Sequence, residues 1–193
     1  GGFWATSAGR VDLDHVTITD NKVTRNNSDA GAGFRVDSGG NVVTMRDSIV
    51  YGNFRDVDNT PDPDEIDNNI GGRLEFSGDN IVGPARFGTV PGSIPSTDPN
   101  LLALADNGGV LLPSGGAART HALDLGNSIA IDGAATSTAT EDQRGVARPL
   151  GALADIGAFE APSGVLYVND QWSALSAGTL VDGDLETGAA EQA

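Results

Sequence analysis

The chain has no cysteine. That excludes a disulfide framework, thiolate zinc sites and a cysteine nucleophile. Basic residues are scarce: 11 lysines and arginines stand against 27 aspartates and glutamates, Lys22 is the single lysine, and the net charge is −16. Such a surface repels phosphate backbones and anionic membranes, so nucleic acid is not an expected partner. No run of 18 apolar residues occurs, and no membrane span is expected. Aromatic residues make up 5% and hydrophobic residues 38% of the chain. That is lean for a globular enzyme, but it suits a repeat protein with a thin core of Val, Ile, Leu and Ala. No window carries an apolar stripe at helical spacing with caps, so a helical solenoid is the poorer reading. Gly1-Gly2-Phe3-Trp4 reads as the middle of a repeat. We therefore expect a segment of a longer protein, with earlier coils covering its first one.

What the chain does have is a segment that occurs twice. Val11-Asp-Leu13-Asp-His15-Val-Thr17-Ile18-Thr-Asp-Asn21 returns, 32 positions on, as Val43-Thr-Met45-Arg-Asp47-Ser-Ile49-Val50-Tyr-Gly-Asn53. Upstream, Gly2-Phe3 and Ser7 return 31 positions later as Gly33-Phe34 and Ser38. A period of this length marks units that stack to bury a face none can bury alone. Each unit alternates apolar and polar residues and ends at Asn or Gly, which reads as short strands and turns. The expected fold is all-β: a right-handed parallel β-helix, a short solenoid with an irregular C-terminal cap. Asn21, Asn26, Asn27, Asn53, Gly33, Gly39 and Gly40 fall where turns are expected, because these residues tolerate left-handed backbone.

Three regions follow. Residues 1–97 are expected to hold about three coils, the last a degenerate one built on Arg73–Phe76 and Asn80–Gly83. Within it, residues 56–67 read as a Pro-broken acidic loop. Residues 98–161 form the cap, which a solenoid needs because its last coil would otherwise expose apolar surface and strand edges. Residues 162–193 read as a linker and the start of a further unit.

The text of 98–160 is the most specific. Leu104-Ala-Asp106-Asn107-Gly108-Gly109, Thr120-His121-Ala122-Leu123, Gly126-Asn-Ser128-Ile-Ala130-Ile131-Asp132, Asp142-Gln-Arg144-Gly145, Arg148-Pro149 and Asp155-Ile-Gly157-Ala-Phe159-Glu160 occur in that order. This series strongly resembles the C-terminal module that follows β-helix repeats in large bacterial surface proteins, the choice-of-anchor Q domain. The resemblance covers roughly residues 1–161. It departs from the family's pattern at Ile129, where proline is usual, and at Ala154, where cysteine is frequent. It implies export to the cell surface or beyond, and it carries no catalytic activity over to this chain.

Several constellations could hold chemistry. Stacked coils would bring Asp12 or Asp14 near Arg46 or Asp47, and paired carboxylates can cleave glycosidic bonds. With so many acids, solvated outward positions are the better reading. A lyase arrangement of Arg25, Arg35 and Arg46 with Asp14 and Asp47 is weaker, since its uronate substrate would approach a strongly negative protein. His15 and His121 are the only histidines, and no His-rich spacing and no Ser–His–Asp arrangement is recognisable, so a hydrolase triad has little support. For His121 we expect a structural hydrogen bond. Asp132, Asp142, Arg144, Arg148, Asp155 and Glu160 form the densest polar group, expected to pin irregular backbone together. Asp58, Asp62, Asp64 and Asp67 suit calcium in an extracellular setting, although they match neither the twelve-residue EF-hand loop nor the nonapeptide glycine–aspartate repeat. Asp182-Gly-Asp184-Leu-Glu186 is a thinner cluster of the same kind.

These observations lead us to expect a non-catalytic structural or adhesive segment of a secreted or cell-surface bacterial protein. Its partners would be other segments of the same long chain or neighbouring copies, with polysaccharide as a further candidate. The competing expectation is a carbohydrate-binding or polysaccharide-cleaving β-helix. Trp4 and Trp172 are the only tryptophans available as a sugar platform.

Overall fold

The computed structural model describes residues 2–5, 9–24, 31–36, 40–57, 60–63, 66–67, 73–84 and 90–162. Residues 1–162 form one compact unit and residues 163–193 a second. The latter, with Trp172 and Asp182–Glu186, lies outside the described residues.

Every regular element among the described residues is a strand: β1 (Phe3–Ala5), β2 (Arg10–Asp14), β3 (Thr17–Ile18), β4 (Lys22–Val23), β5 (Phe34–Val36), β6 (Val42–Arg46), β7 (Ile49–Val50), β8 (Phe54–Val57), β9 (Thr60–Pro63), β10 (Ile66–Asp67), β11 (Arg73–Ser77) and β12 (Ile81–Val82). They make four three-stranded sheets, ordered β1-β5-β10, β2-β6-β11, β3-β7-β12 and β4-β8-β9. Pairing is parallel throughout, except between β8 and β9. The sequence repeat sets the register. Val11 lies opposite Val43, Leu13 opposite Met45, Thr17 opposite Ile49 and Lys22 opposite Phe54, all 32 apart, whereas Phe3 meets Phe34 at 31. The third repeat joins β6 at an offset of 31 and β7 at 32, so one residue is gained between β11 and β12.

Alternation decides which residues face inward. Phe34, Val36, Val43, Met45, Val50, Ile66 and Val82 are sealed at 0–1% exposure, with Leu13 at 9%, in one apolar cluster. Phe3 stacks on Phe34 with ring centroids 4.9 Å apart. Each such side chain contributes about 1.5–3 kcal/mol on burial. Val90 and Ile94 pack on the same cluster, and Val82 donates its amide to Pro95 O at 3.0 Å. This stretch covers part of the third repeat.

The turns differ from expectation in which residues bend. Left-handed backbone recurs at His15 (φ 51), Asp47 (φ 47) and Gly78 (φ 61), the same corner of successive repeats, and at Asp20 (φ 56) and Gly52 (φ 76). Of the expected turn residues, Gly40 is left-handed (φ 79) while Asn21, Asn53 and Gly33 are not; Asn26, Asn27 and Gly39 lie outside the described residues. Asn21 and Asn53 instead form a ladder. Asn53 Oδ1 accepts the Asn21 amide at 3.1 Å and its Nδ2 at 2.9 Å, while Asn53 Nδ2 donates to Ile18 O at 2.9 Å. Asn80 makes the same kind of bridge at another corner, just before β12, accepting the Ser48 amide at 3.1 Å. A carboxamide can donate and accept at once, so it serves two repeats together.

The stretch expected to be an acidic loop is largely strand. β9 folds back on β8, with Asp56 opposite Pro61 and Phe54 opposite Pro63, and β10 then joins β5. Two prolines are tolerated because β9 is an edge strand, where a missing ladder donor costs little.

Residues 98–162 contain no regular strand, only isolated antiparallel bridges such as Leu101–Leu123 and Ala134–Ala154. Their apolar residues do not merely close an end. Ile156, Phe159, Ala130, Ala134 and Leu123 bury Ile49 and Ile81 in a second cluster. The β3-β7-β12 sheet is therefore covered on both faces: Ile18, Val50 and Val82 face one cluster, Ile49 and Ile81 the other. The adjacent apolar pairs Ile49-Val50 and Ile81-Val82 reflect this, since a strand buried on two sides does not alternate.

Candidate functional site

Two polar groups merit description. The first lies in residues 142–161. Asp142 accepts from the amides of Arg144 (2.7 Å), Val146 (3.0 Å) and Glu160 (2.9 Å) and from Arg144 Nε at 2.8 Å. Arg144 donates onward to Asn107 O at 3.1 Å and Glu160 O at 2.5 Å, and its guanidinium lies 3.6 Å from the centre of the Phe159 ring. Arg148 donates to Asp155 O and Gly157 O, both at 2.6 Å, and to Glu160 Oε2 at 3.1 Å. Glu160 also accepts from the amides of Leu150 and Asp155. Asp155 accepts from Ala161 (2.6 Å) and Asp132 (2.8 Å), while Asp132 accepts from Leu153 at 2.9 Å.

The six expected residues thus meet in one network, and most of their bonds go to backbone. Irregular chain cannot satisfy its own amides and carbonyls, so buried side chains do it. Burial pushes the Asp142 carboxyl up, but the hydrogen bonds from Glu160, Arg144 and Val146 outweigh it and hold it below the ordinary carboxylate range. Asp155 is raised, first by burial and then by the neighbouring Glu160 charge, against the amides of Ala161 and Asp132. Burial lowers Arg148, with Glu160 foremost in opposing it.

The second group joins the segment to the repeats. Gly157 N donates to Asp47 O at 2.8 Å, Ala158 N to Thr17 Oγ1 at 3.0 Å, Ala135 N to Asp79 Oδ2 at 2.9 Å, and Arg46 Nη2 to Thr136 O at 2.5 Å. At its centre is His15. Its Nδ1 lies 2.6 Å from Asp14 Oδ1 and its Nε2 2.8 Å from Ser137 Oγ. Asp14, His15 and Asp47 place ligand atoms within 4.8 Å of one another, a spacing open to a divalent ion. Their bonds are nonetheless already assigned. Asp47 accepts from Arg46 Nε at 3.1 Å and from the Asp79 amide at 2.8 Å. An ion on the imidazole would have to displace Asp14 or Ser137, beside a guanidinium. The group is a hydrogen-bonded node.

Other expected sites resolve differently. Asp58 and Asp64, with the side chains of Asp62 and Asp67, lie outside the described residues, as does Arg25. Asp12 sits at an outward strand position, bonded to Arg10 at 2.7 Å and to Thr44. His121 Nδ1 donates to Leu102 O at 2.8 Å. Trp4 is 61% exposed, with the Arg35 guanidinium 5.3 Å from its ring centre; Phe3, not Trp4, packs on Phe34. Sequence spacing could not find Ser137, which is 122 positions from His15. Among the described residues no helix is long and apolar enough to cross a membrane.

Comparison with known proteins gives no match: no family model fits the chain, and no curated protein or solved structure is significantly similar to it.

Proposed function

We propose that this chain is a structural or adhesive segment of a secreted or cell-surface bacterial protein, and that it is of the choice-of-anchor Q kind. In this reading the stacked repeats are coils of a right-handed parallel β-helix, and residues 98–161 are the module that locks onto them. The observation that supports it best is the constant step of 31–32 residues between parallel strands. Such stacking generates length and stiffness from few residue types. The densest charged network adds support, because its groups are spent on the protein's own backbone. Partners would be other segments of the same long chain or neighbouring copies.

The test is location. An antibody to this segment should find it on intact cells of the source bacterium, and external protease should remove it. Confinement to the cytoplasm would sink the proposal. Calcium in the 58–67 region remains part of the proposal, and a lower melting midpoint in chelator than in millimolar calcium is the expected result. One observation favours a second reading. The exposed Trp4 ring beside Arg35 is a surface on which a sugar could stack, so a carbohydrate-binding face is the alternative. Retention on immobilised polysaccharide that disappears in Trp4→Ala would support it.

A further inference from the structure

We propose that Ser137 is an activated nucleophile and that Asp14, His15 and Ser137 form an acyl-transfer relay for small neutral esters. The proton positions follow from bonding rules. An ionised Asp14 can only accept, so His15 Nδ1 carries the hydrogen of the 2.6 Å bond. Nε2 of the neutral ring is then an acceptor, and the hydroxyl of Ser137 donates to it at 2.8 Å. The Ala139 amide donates to Ser137 Oγ at 3.2 Å, which leaves the hydroxyl hydrogen free to point at the base. Nucleophile, base and orienting acid thus use the same ring atoms as a serine hydrolase, and such a relay is recognised by geometry rather than chain order. Asp47 Oδ2 lies 3.9 Å from Nε2 and is shared with the Arg46 guanidinium, which holds it at 3.1 Å.

An open hollow of about 470 Å³ borders the base: His15, Thr17 and Ala139 line it together with the acids Asp14, Glu141 and Asp142, while Ser137 lies two residues from Ala139, outside the lining. The amide of Thr138, next to the nucleophile in the chain, makes no hydrogen bond among the described residues. The acidic surface disfavours anionic substrates, hence neutral esters.

In the reaction, Ser137 Oγ attacks the ester carbonyl carbon while its proton moves to His15 Nε2 and the carbonyl electron pair moves onto oxygen. Collapse breaks the bond to the alcohol, which leaves with the proton from His15. Water then attacks the acyl-serine by the same route, releasing the acid and restoring Ser137.

The test is labelling by a fluorophosphonate, with intact mass and peptide mapping, alongside hydrolysis of p-nitrophenyl acetate. One adduct at Ser137 is expected, lost in Ser137→Ala, and the rate should fall about 100-fold or more in His15→Gln. An unlabelled Ser137 in the unaltered protein overturns the proposal without recourse to any variant. So does labelling or turnover that persists at full rate in a His15→Gln protein whose melting is unchanged. If that variant melts early, Asp14→Asn replaces it; Asp14 is exposed at the surface, and an unaltered rate there is equally decisive against the relay.

Discussion

At the residue scale, a few side chains hold irregular backbone in place. Arg148 is fully buried and serves Glu160, Asp155 O and Gly157 O together. Arg148→Met should cost about 3–5 kcal/mol in urea unfolding, because Glu160 is left as an uncompensated buried charge. Gly157 has φ +93, and a Cβ there would come within 2.6 Å of Thr17 Oγ1 and 2.8 Å of Ile49 Cδ1. Gly157→Ala should lose about 1–3 kcal/mol by the same measurement, from strain and overpacking combined. The acids set the pH response. The lowered Asp142 adds stability above the unfolded carboxyl value of about 3.9, and that stability is lost as pH falls through its folded value. The raised Asp155 acts oppositely, so it removes stability as pH rises from about 3.9 through its folded value. Denaturation between about pH 2 and 6 should therefore show both slopes, and Asp142→Asn should lose the acid-side one.

At the element scale, strand register comes from matched apolar positions and from asparagines that bridge repeats. A shift of one residue would turn Met45 and Val43 outward, which fixes the register strongly. The ladder adds specificity at the turns. Asn53→Ala leaves the Asn21 amide and Ile18 carbonyl without their side-chain partner and should cost about 1–3 kcal/mol in chemical unfolding. The outward Thr44→Ala, on the face opposite the core, should cost less than about 0.5 kcal/mol. The strand alternation was legible because period 2 is written directly in Val11-Asp-Leu13 and Val43-Thr-Met45. The hairpin of β8 and β9 was not, since its prolines argue against a strand unless its edge position is known.

At the scale of the whole compact unit, the β3-β7-β12 sheet is the shared wall of two cores. Unfolding one side exposes the other face of the same strands, so residues 1–162 should unfold in one transition. Ile156→Asp places an unpaired charge against Ile49 and Ile81 and should lower the midpoint without splitting it. Far-ultraviolet dichroism and intrinsic fluorescence should remain coincident in that variant. Two separated transitions would mean that the C-terminal segment folds independently of the repeats.

The repeat, its 31–32-residue step, the all-strand character and the dense polar group of residues 132–160 were legible in the amino-acid pattern alone. Each of these is a local pattern or a count, and local chemistry suffices to read it. It took the folded chain to show that residues 130–161 lie along the β3-β7-β12 sheet, that Asn21 and Asn53 bridge repeats rather than bend the chain, and that His15 meets Ser137. The Asn bridge joins stacked repeats 32 positions apart, and the other two depend on irregular chain meeting the repeats across 56 to 141 positions. No spacing rule encodes that approach, because the backbone between them follows side-chain hydrogen bonds instead of a regular period.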